Sequence, residues 1–135
     1  MLGAYNGKFL RVDLTTGTTT VEEVSDLTYR MYLGGCTMAA YLLTRDLKPG
    51  IDPLGPENVL VFTTCPTNAS PISGTNRFSA AAKSPLTGAY GEAEAGGWWG
   101  PELKLAGFDA IVVTGASSRP VYLWIVDGQV EIRDA

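Results

Sequence analysis

The residues whose type and setting best suit chemistry, Arg77, Lys83, Glu92, Glu94 and the pair Gly96-Gly97, fall between Cys65 and Lys104. Arg77 follows Gly74-Thr75-Asn76 and opens a run of small residues, Ser79-Ala80-Ala81-Ala82. A guanidinium fork at that entrance can project into a cavity and bind an anion or a ring edge. Its plainer alternative is an ion pair with Glu92 or Glu94. The pair Gly96-Gly97 stands directly before a helix signal, where bare backbone N–H groups attract phosphate or carboxylate. Those glycines could equally just let Trp98 and Trp99 pack under a sheet. Lys83 is either a second anion donor or a solvated strand end. Glu92 and Glu94, with Ala93 between them, point to one side of an extended strand. Two exposed like charges there read as solvated rather than as an acid–base pair. Cys36 follows two glycines at a helix start and Cys65 ends an apolar strand. Without neighbouring cysteines both read as small core or loop residues rather than nucleophiles.

Composition removes several classes of function. The chain has 135 residues and no histidine, which excludes a Ser-His-Asp or Cys-His pair and a His-ligated metal within it. Two cysteines cannot hold a four-cysteine zinc or iron–sulfur site, so any cluster needs outside ligands. Ten basic residues against fourteen acidic ones, a net charge of −4, leave no basic footprint for nucleic acid or an anionic membrane. The longest apolar runs, such as Val121 to Val126, are strand-length, and no signal peptide opens the chain. The expectation is a soluble, cytoplasmic protein with reduced thiols. Hydrophobic residues at 45% and charged residues at 18% predict one folded domain over residues 1–135.

The elements that must position these residues are strand-rich. Lys8 to Leu14 alternates with period two, Thr15-Thr16-Gly17 turns, and Thr18 to Glu23 returns, which predicts a hairpin. Ser25 or Asp26 caps a short helix ending at Gly34-Gly35, and a second helix runs from about Thr37 to Leu47. The proline-rich stretch Pro49 to Pro56 is a rigid loop. Val59 to Phe62 reads as a strand buried on both faces and Arg77 to Ala82 as another, with the polar Cys65–Gly74 loop between them. Tyr90 to Ala93 extends a further strand. Gly96-Gly97 before, Pro101 inside and Gly107 after mark a short third helix. Ala110 to Thr114, Val121 to Val126 and Gln129 to Arg133 are strands, the last two joined by Asp127-Gly128, a strong hairpin signal. The fold class is α+β, two β layers with a few short helices.

The string from Lys83 to Lys104, KSPLTGAYGEAEAGGWWGPELK, continues as LAGFDAIVVTG and RPVYLWIVDGQVEIRDA. With the opening GKFLRVDLTTG and the central DPLGPENVLVF, it resembles the N-terminal domain of the aldehyde ferredoxin oxidoreductase family over nearly the whole chain. Members oxidise aldehydes to carboxylic acids and pass electrons to ferredoxin. They use a tungsten or molybdenum ion held by two pterin dithiolenes, beside a [4Fe-4S] cluster. The resemblance implies an anaerobic oxidoreductase and a domain on which the bis-pterin cofactor rests. It also implies remaining domains or subunits that carry the cluster, association into an oligomer, and inactivity of this chain alone. A metal ligated by cofactor sulfurs needs no histidine from this domain. By resemblance, Arg77 lies between pterin and cluster, and the turn Ala93-Glu94-Ala95-Gly96-Gly97 approaches the pterin phosphates and an associated magnesium ion. The sequence departs from the family at Glu94, usually Asn, at Cys36-Thr37, usually Arg-Gly, and at Cys65 to Ala69, usually Gly-Pro-Leu-Thr-Gly. Those departures keep a second reading open, an interaction subunit of the same fold that has lost the cofactor. Trp98, Trp99 and Trp124 are the candidates for an exposed apolar docking surface.

Overall fold

The computed structural model describes residues 3–135. β1 (Lys8–Asp13) and β2 (Thr18–Glu23) form the expected antiparallel hairpin. β3 (Leu60–Thr64), β4 (Phe78–Lys83), β5 (Tyr90–Ala95) and β6 (Ala110–Thr114) join it in a six-stranded sheet of order β2-β1-β6-β3-β4-β5. Only the central β1–β6 pair is parallel. β7 (Val121–Val126) and β8 (Gln129–Asp134) make a separate two-stranded sheet. Its turn carries Asp127 at φ 49 and Gly128 at φ 79, the positive pair a two-residue hairpin needs.

Period-two alternation places each layer. Phe9 of β1, Val61, Ala81 and Val112 face α2 (Gly35–Asp46) and bury Met38, Ala39, Leu42 and Leu43 against the sheet, with Tyr29 of α1 (Asp26–Tyr32). Leu10, Val12 and Ile111 point the other way, onto Leu103 of α3 (Trp99–Leu105), Phe108 and the β7–β8 residues Leu123, Ile125, Val130 and Ile132. β3 contributes to both sides, Val61 to one cluster and Phe62 to the other. The two β layers are therefore unequal, six strands against two, with α3 filling part of the difference.

Ser25 caps α1 by accepting from the Thr28 amide at 3.2 Å. Two boundaries differ from the sequence reading. The left-handed residue that ends α1 is Leu33, at φ 56, rather than a glycine. α2 begins at Gly35 instead of Thr37, because the chain crosses Thr64 and Cys65 at Gly34. A Cβ on Gly34 would sit 2.6 Å from the Thr64 carbonyl oxygen, so only glycine allows that crossing. Opposite it, Arg11, Glu22, Arg45 and Asp46 close a ring of alternating charges that ties β1 and β2 to α2, with contacts of 2.5 to 2.7 Å. No helix among the described residues is long and apolar enough to cross a membrane.

Candidate functional site

The β4–β5 hairpin sets the site. Its register pairs Phe78 with Ala95 and Ser79 with Glu94, so one step beyond the ladder Arg77 lies beside Gly96. A Cβ built on Gly96 would be 3.8 Å from Arg77 Cδ and Nε. Gly97 has φ +102, a conformation that suits glycine, and leaves open space in front of its Cα. Gly74, Asn76, Arg77, Gly96, Gly97 and Trp98 together line one hollow of about 480 Å³. Three of the six residues expected from the sequence, Arg77, Gly96 and Gly97, thus share one cavity. Ala93, Glu94 and Ala95 lead into it along the edge strand β5, exposed, without lining it.

The chemistry of the hollow is that of a donor set. Arg77 is exposed, and among the described residues its guanidinium has no hydrogen-bond or ion-pair partner, so the alternative pairing with Glu92 or Glu94 does not form. Asn76 Oδ1 accepts from the Ala69 amide at 3.2 Å, which leaves its amide hydrogens for the hollow. α3 has only seven residues, and its N-cap Trp98 makes no side-chain cap. The site therefore offers backbone N–H groups at a glycine bend more than a long helix dipole. A cation, an amide and bare N–H groups around an open volume suit an anion, above all a phosphate.

The two tryptophans after the glycines part ways. Trp99 packs its ring on Phe78 and Phe62, with centroids 4.4 and 5.4 Å apart. Trp98 stays 80% exposed at the mouth of the hollow. Trp124 lies on the outer face of β7 under the Arg133 guanidinium, 4.1 Å from its ring centroid.

The other candidates resolve individually. Lys83 is neither free nor solvated: its Nζ donates to the Ile51 carbonyl at 2.6 Å. Glu92 and Glu94 share the α2 side of β5, as expected, opposite Ala81 and Ser79. Cys36 is exposed at the start of α2, and Cys65 is half-buried with its Sγ 3.1 Å from where a Gly35 Cβ would be. Burial, then the nearby Glu94 charge, pushes the Cys65 thiol up, away from a reactive thiolate. Among the described residues no three His, Cys, Asp or Glu side chains gather as a metal site.

Sequence reasoning passed over the support behind the hollow. Asp109, 4% exposed, accepts at Oδ2 from the Asn6 and Gly7 amides at 2.8 and 2.9 Å and from the Tyr29 hydroxyl at 2.8 Å. Its Oδ1 lies 3.1 Å from Lys104 Nζ, which also donates to the Cys65 carbonyl at 3.1 Å. That lysine anchors the first residue of the Cys65–Gly74 loop, whose last residue walls the hollow. An aspartate after Phe108 and a lysine in an amphipathic helix carry no local signal of being paired.

The chain's relatives share this frame. The sequence profile described as the N-terminal domain of aldehyde ferredoxin oxidoreductase matches residues 9–135. The tungsten-containing aldehyde ferredoxin oxidoreductase of Thermococcus kodakarensis is 47% identical over 129 residues, covering 96% of this chain and 21% of that protein. The protein of the same description from Pyrococcus furiosus is 44% identical over 129 residues, with the same coverage. Among solved structures, the active-site complex BamBC of benzoyl coenzyme A reductase with 1,5-dienoyl-CoA superposes with a TM-score of 0.94 at 39% identity, covering 98% of this chain and 20% of that one. The chain spans about a fifth of the length of the relatives it matches.

Proposed function

Because the chain belongs to the aldehyde ferredoxin oxidoreductase N-terminal domain family, we propose that residues 1–135 form one domain that serves as the platform for a tungsten- or molybdenum-bis-pterin cofactor. When bound, that cofactor supplies the two-electron oxidation of an aldehyde to a carboxylate. Everything this chain contributes is binding and orientation. Arg77 holds an anionic or ring-edge group of the pterin with its fork, and the Gly96 and Gly97 amides receive a phosphate. Ala93, Glu94 and Ala95 bring the strand to that bend, where Glu94 would help hold a magnesium ion associated with the phosphates. A [4Fe-4S] cluster and the rest of the pterin pocket belong to further domains or subunits. That cluster would supply the route for electrons to ferredoxin, and the whole would be an oligomeric, anaerobic, cytoplasmic enzyme.

The observation that carries this reading is the single hollow shared by an unpartnered Arg77 and the Gly96-Gly97 bend. The residues fit the group: Arg77 supplies an unpaired cation beside the Gly96 and Gly97 amides, which suits phosphate, and no histidine is needed where the metal's ligands are cofactor sulfurs. Calorimetric titration of the chain with 6-hydroxymethylpterin monophosphate tests it. Saturable binding that Arg77→Ala weakens about tenfold or more supports the reading. Binding indifferent to Arg77 contradicts it.

A second reading keeps the fold as an interaction module without cofactor. One observation favours it: Glu94 puts a carboxylate on the approach to a phosphate site, where a bound cation would be needed to offset the repulsion. On that reading the same titration shows no binding.

A further inference from the structure

Trp98 and Trp99 are adjacent, yet Trp99 is 39% exposed with its ring packed on two aromatics while Trp98 is 80% exposed. Trp99 is held by Phe62 and Phe78. Trp98 is 80% exposed, has no ring contact among the described residues, and lines the hollow beside Arg77. Its backbone is fixed all the same. Gly97 before it is held at φ +102, its own carbonyl accepts from the Glu102 amide at 2.9 Å, and Trp99 after it is anchored. Only two side-chain torsions remain to be ordered when the ring is covered, so recruiting it costs little entropy. An indole left in water at the rim of a donor-lined cavity offers a flat apolar face next to a cation.

We propose that Trp98 is a binding residue of this hollow: its indole stacks on a planar heteroaromatic ring whose anionic substituent is held by Arg77 and the Gly96-Gly97 amides. The inference rests on the platform reading above and names the feature of the ligand that the donor set alone does not select. Phosphate satisfies the guanidinium, the glycine amides and the Asn76 amide hydrogens, but gives Trp98 nothing. A ring with a phosphate arm satisfies both, and a hollow of about 480 Å³ lies within the range of small-molecule sites. Stacking of a heteroaromatic ring on a protein aromatic accounts for about tenfold or more in affinity.

The test uses the 135-residue chain, intrinsic tryptophan emission and three probes: 6-hydroxymethylpterin monophosphate, unphosphorylated 6-hydroxymethylpterin and inorganic phosphate. The phosphorylated pterin is expected to quench emission saturably, and the quenching to be lost in Trp98→Phe, which still binds within a few-fold by calorimetry. Trp98→Ala is expected to weaken both pterin probes about tenfold or more and to leave inorganic phosphate binding unchanged. Arg77→Ala is expected to weaken the two phosphate-bearing probes. If Trp98→Ala binds the phosphorylated pterin as wild type does while Arg77→Ala loses it, the stacking role is wrong and the platform reading stands. If neither substitution matters, or wild type binds no probe, both fail. Circular dichroism of each variant separates lost binding from lost folding.

Discussion

Asp109→Asn tests the buried support of the site. The substitution keeps shape and removes a charge from a carboxylate whose Oδ2 takes three donors and whose Oδ1 faces Lys104 at 3.1 Å. The lysine approach is too oblique for a hydrogen bond, so charge rather than direction holds it. At that separation the gross attraction is about 5 kcal/mol for an effective dielectric of about 20. Desolvation of both groups offsets much of it, but deleting one charge leaves a lysine that is 9% exposed with no counterion. The Asn oxygen can serve the Asn6, Gly7 and Tyr29 donors, which turns its NH2 toward the ammonium. The expected loss is about 3–5 kcal/mol, a large share of the roughly 5–15 kcal/mol available to a domain. In urea, with a slope of about 2 kcal/mol per molar, the midpoint falls by about 1.5–2.5 M. Lys104→Met combined with Asp109→Asn is expected to cost less than the two single losses added, by about 1–3 kcal/mol. A single-variant loss under about 1 kcal/mol, or strict additivity, refutes the reasoning.

Other outcomes follow from the same structure. Burial, then the Asp109 charge and its hydrogen bond, raises the Tyr29 hydroxyl well above its ordinary value of 10.0. Its folded form stays neutral while the unfolded chain ionises, so this stability is complete below about pH 10 and is lost as pH rises further. Between pH 10.5 and 11.5 wild type should lose up to about 1.4 kcal/mol more per pH unit than Tyr29→Phe in urea titrations; equal slopes contradict this. Cys36 is exposed and Cys65 half-buried with its thiol pushed up, so iodoacetamide at pH 8 should label Cys36 first, as read by peptide mass spectrometry. Equal rates would count against that placement. Gly34→Ala forces a methyl group to within 2.6 Å of the Thr64 carbonyl and should cost at least about 2 kcal/mol by urea unfolding, whereas an unchanged midpoint would show that α2 can shift at no cost.

Much of the fold is legible in local pattern because local physics decides it. Period two marks β1, the Asp127-Gly128 pair fixes the β7–β8 turn, and the Ser25-Asp26 pair announces α1, with Ser25 as the cap. What escapes notice is set by tertiary contact. α2 starts at Gly35 because of Thr64 and Cys65, which are distant in sequence, and α1 ends on Leu33 at φ 56, one residue before the expected Gly34-Gly35 stop. Of the site, Arg77, Gly96 and Gly97 are readable from residue type. Their meeting with Asn76 depends on the β4–β5 register, as does the absence of an Arg77–Glu94 pair. Trp98 and Trp99 show the limit most plainly, since identical neighbours differ in exposure, 80% against 39%, according to contacts with Phe62 and Phe78 that no local pattern reveals.

The most direct measurement is elemental and pterin analysis of the assembly isolated from its native source through a tag on this chain. The platform account predicts tungsten or molybdenum with about two pterins per metal, both depleted when Arg77 is replaced by alanine. An intact assembly containing this chain but neither metal nor pterin contradicts it.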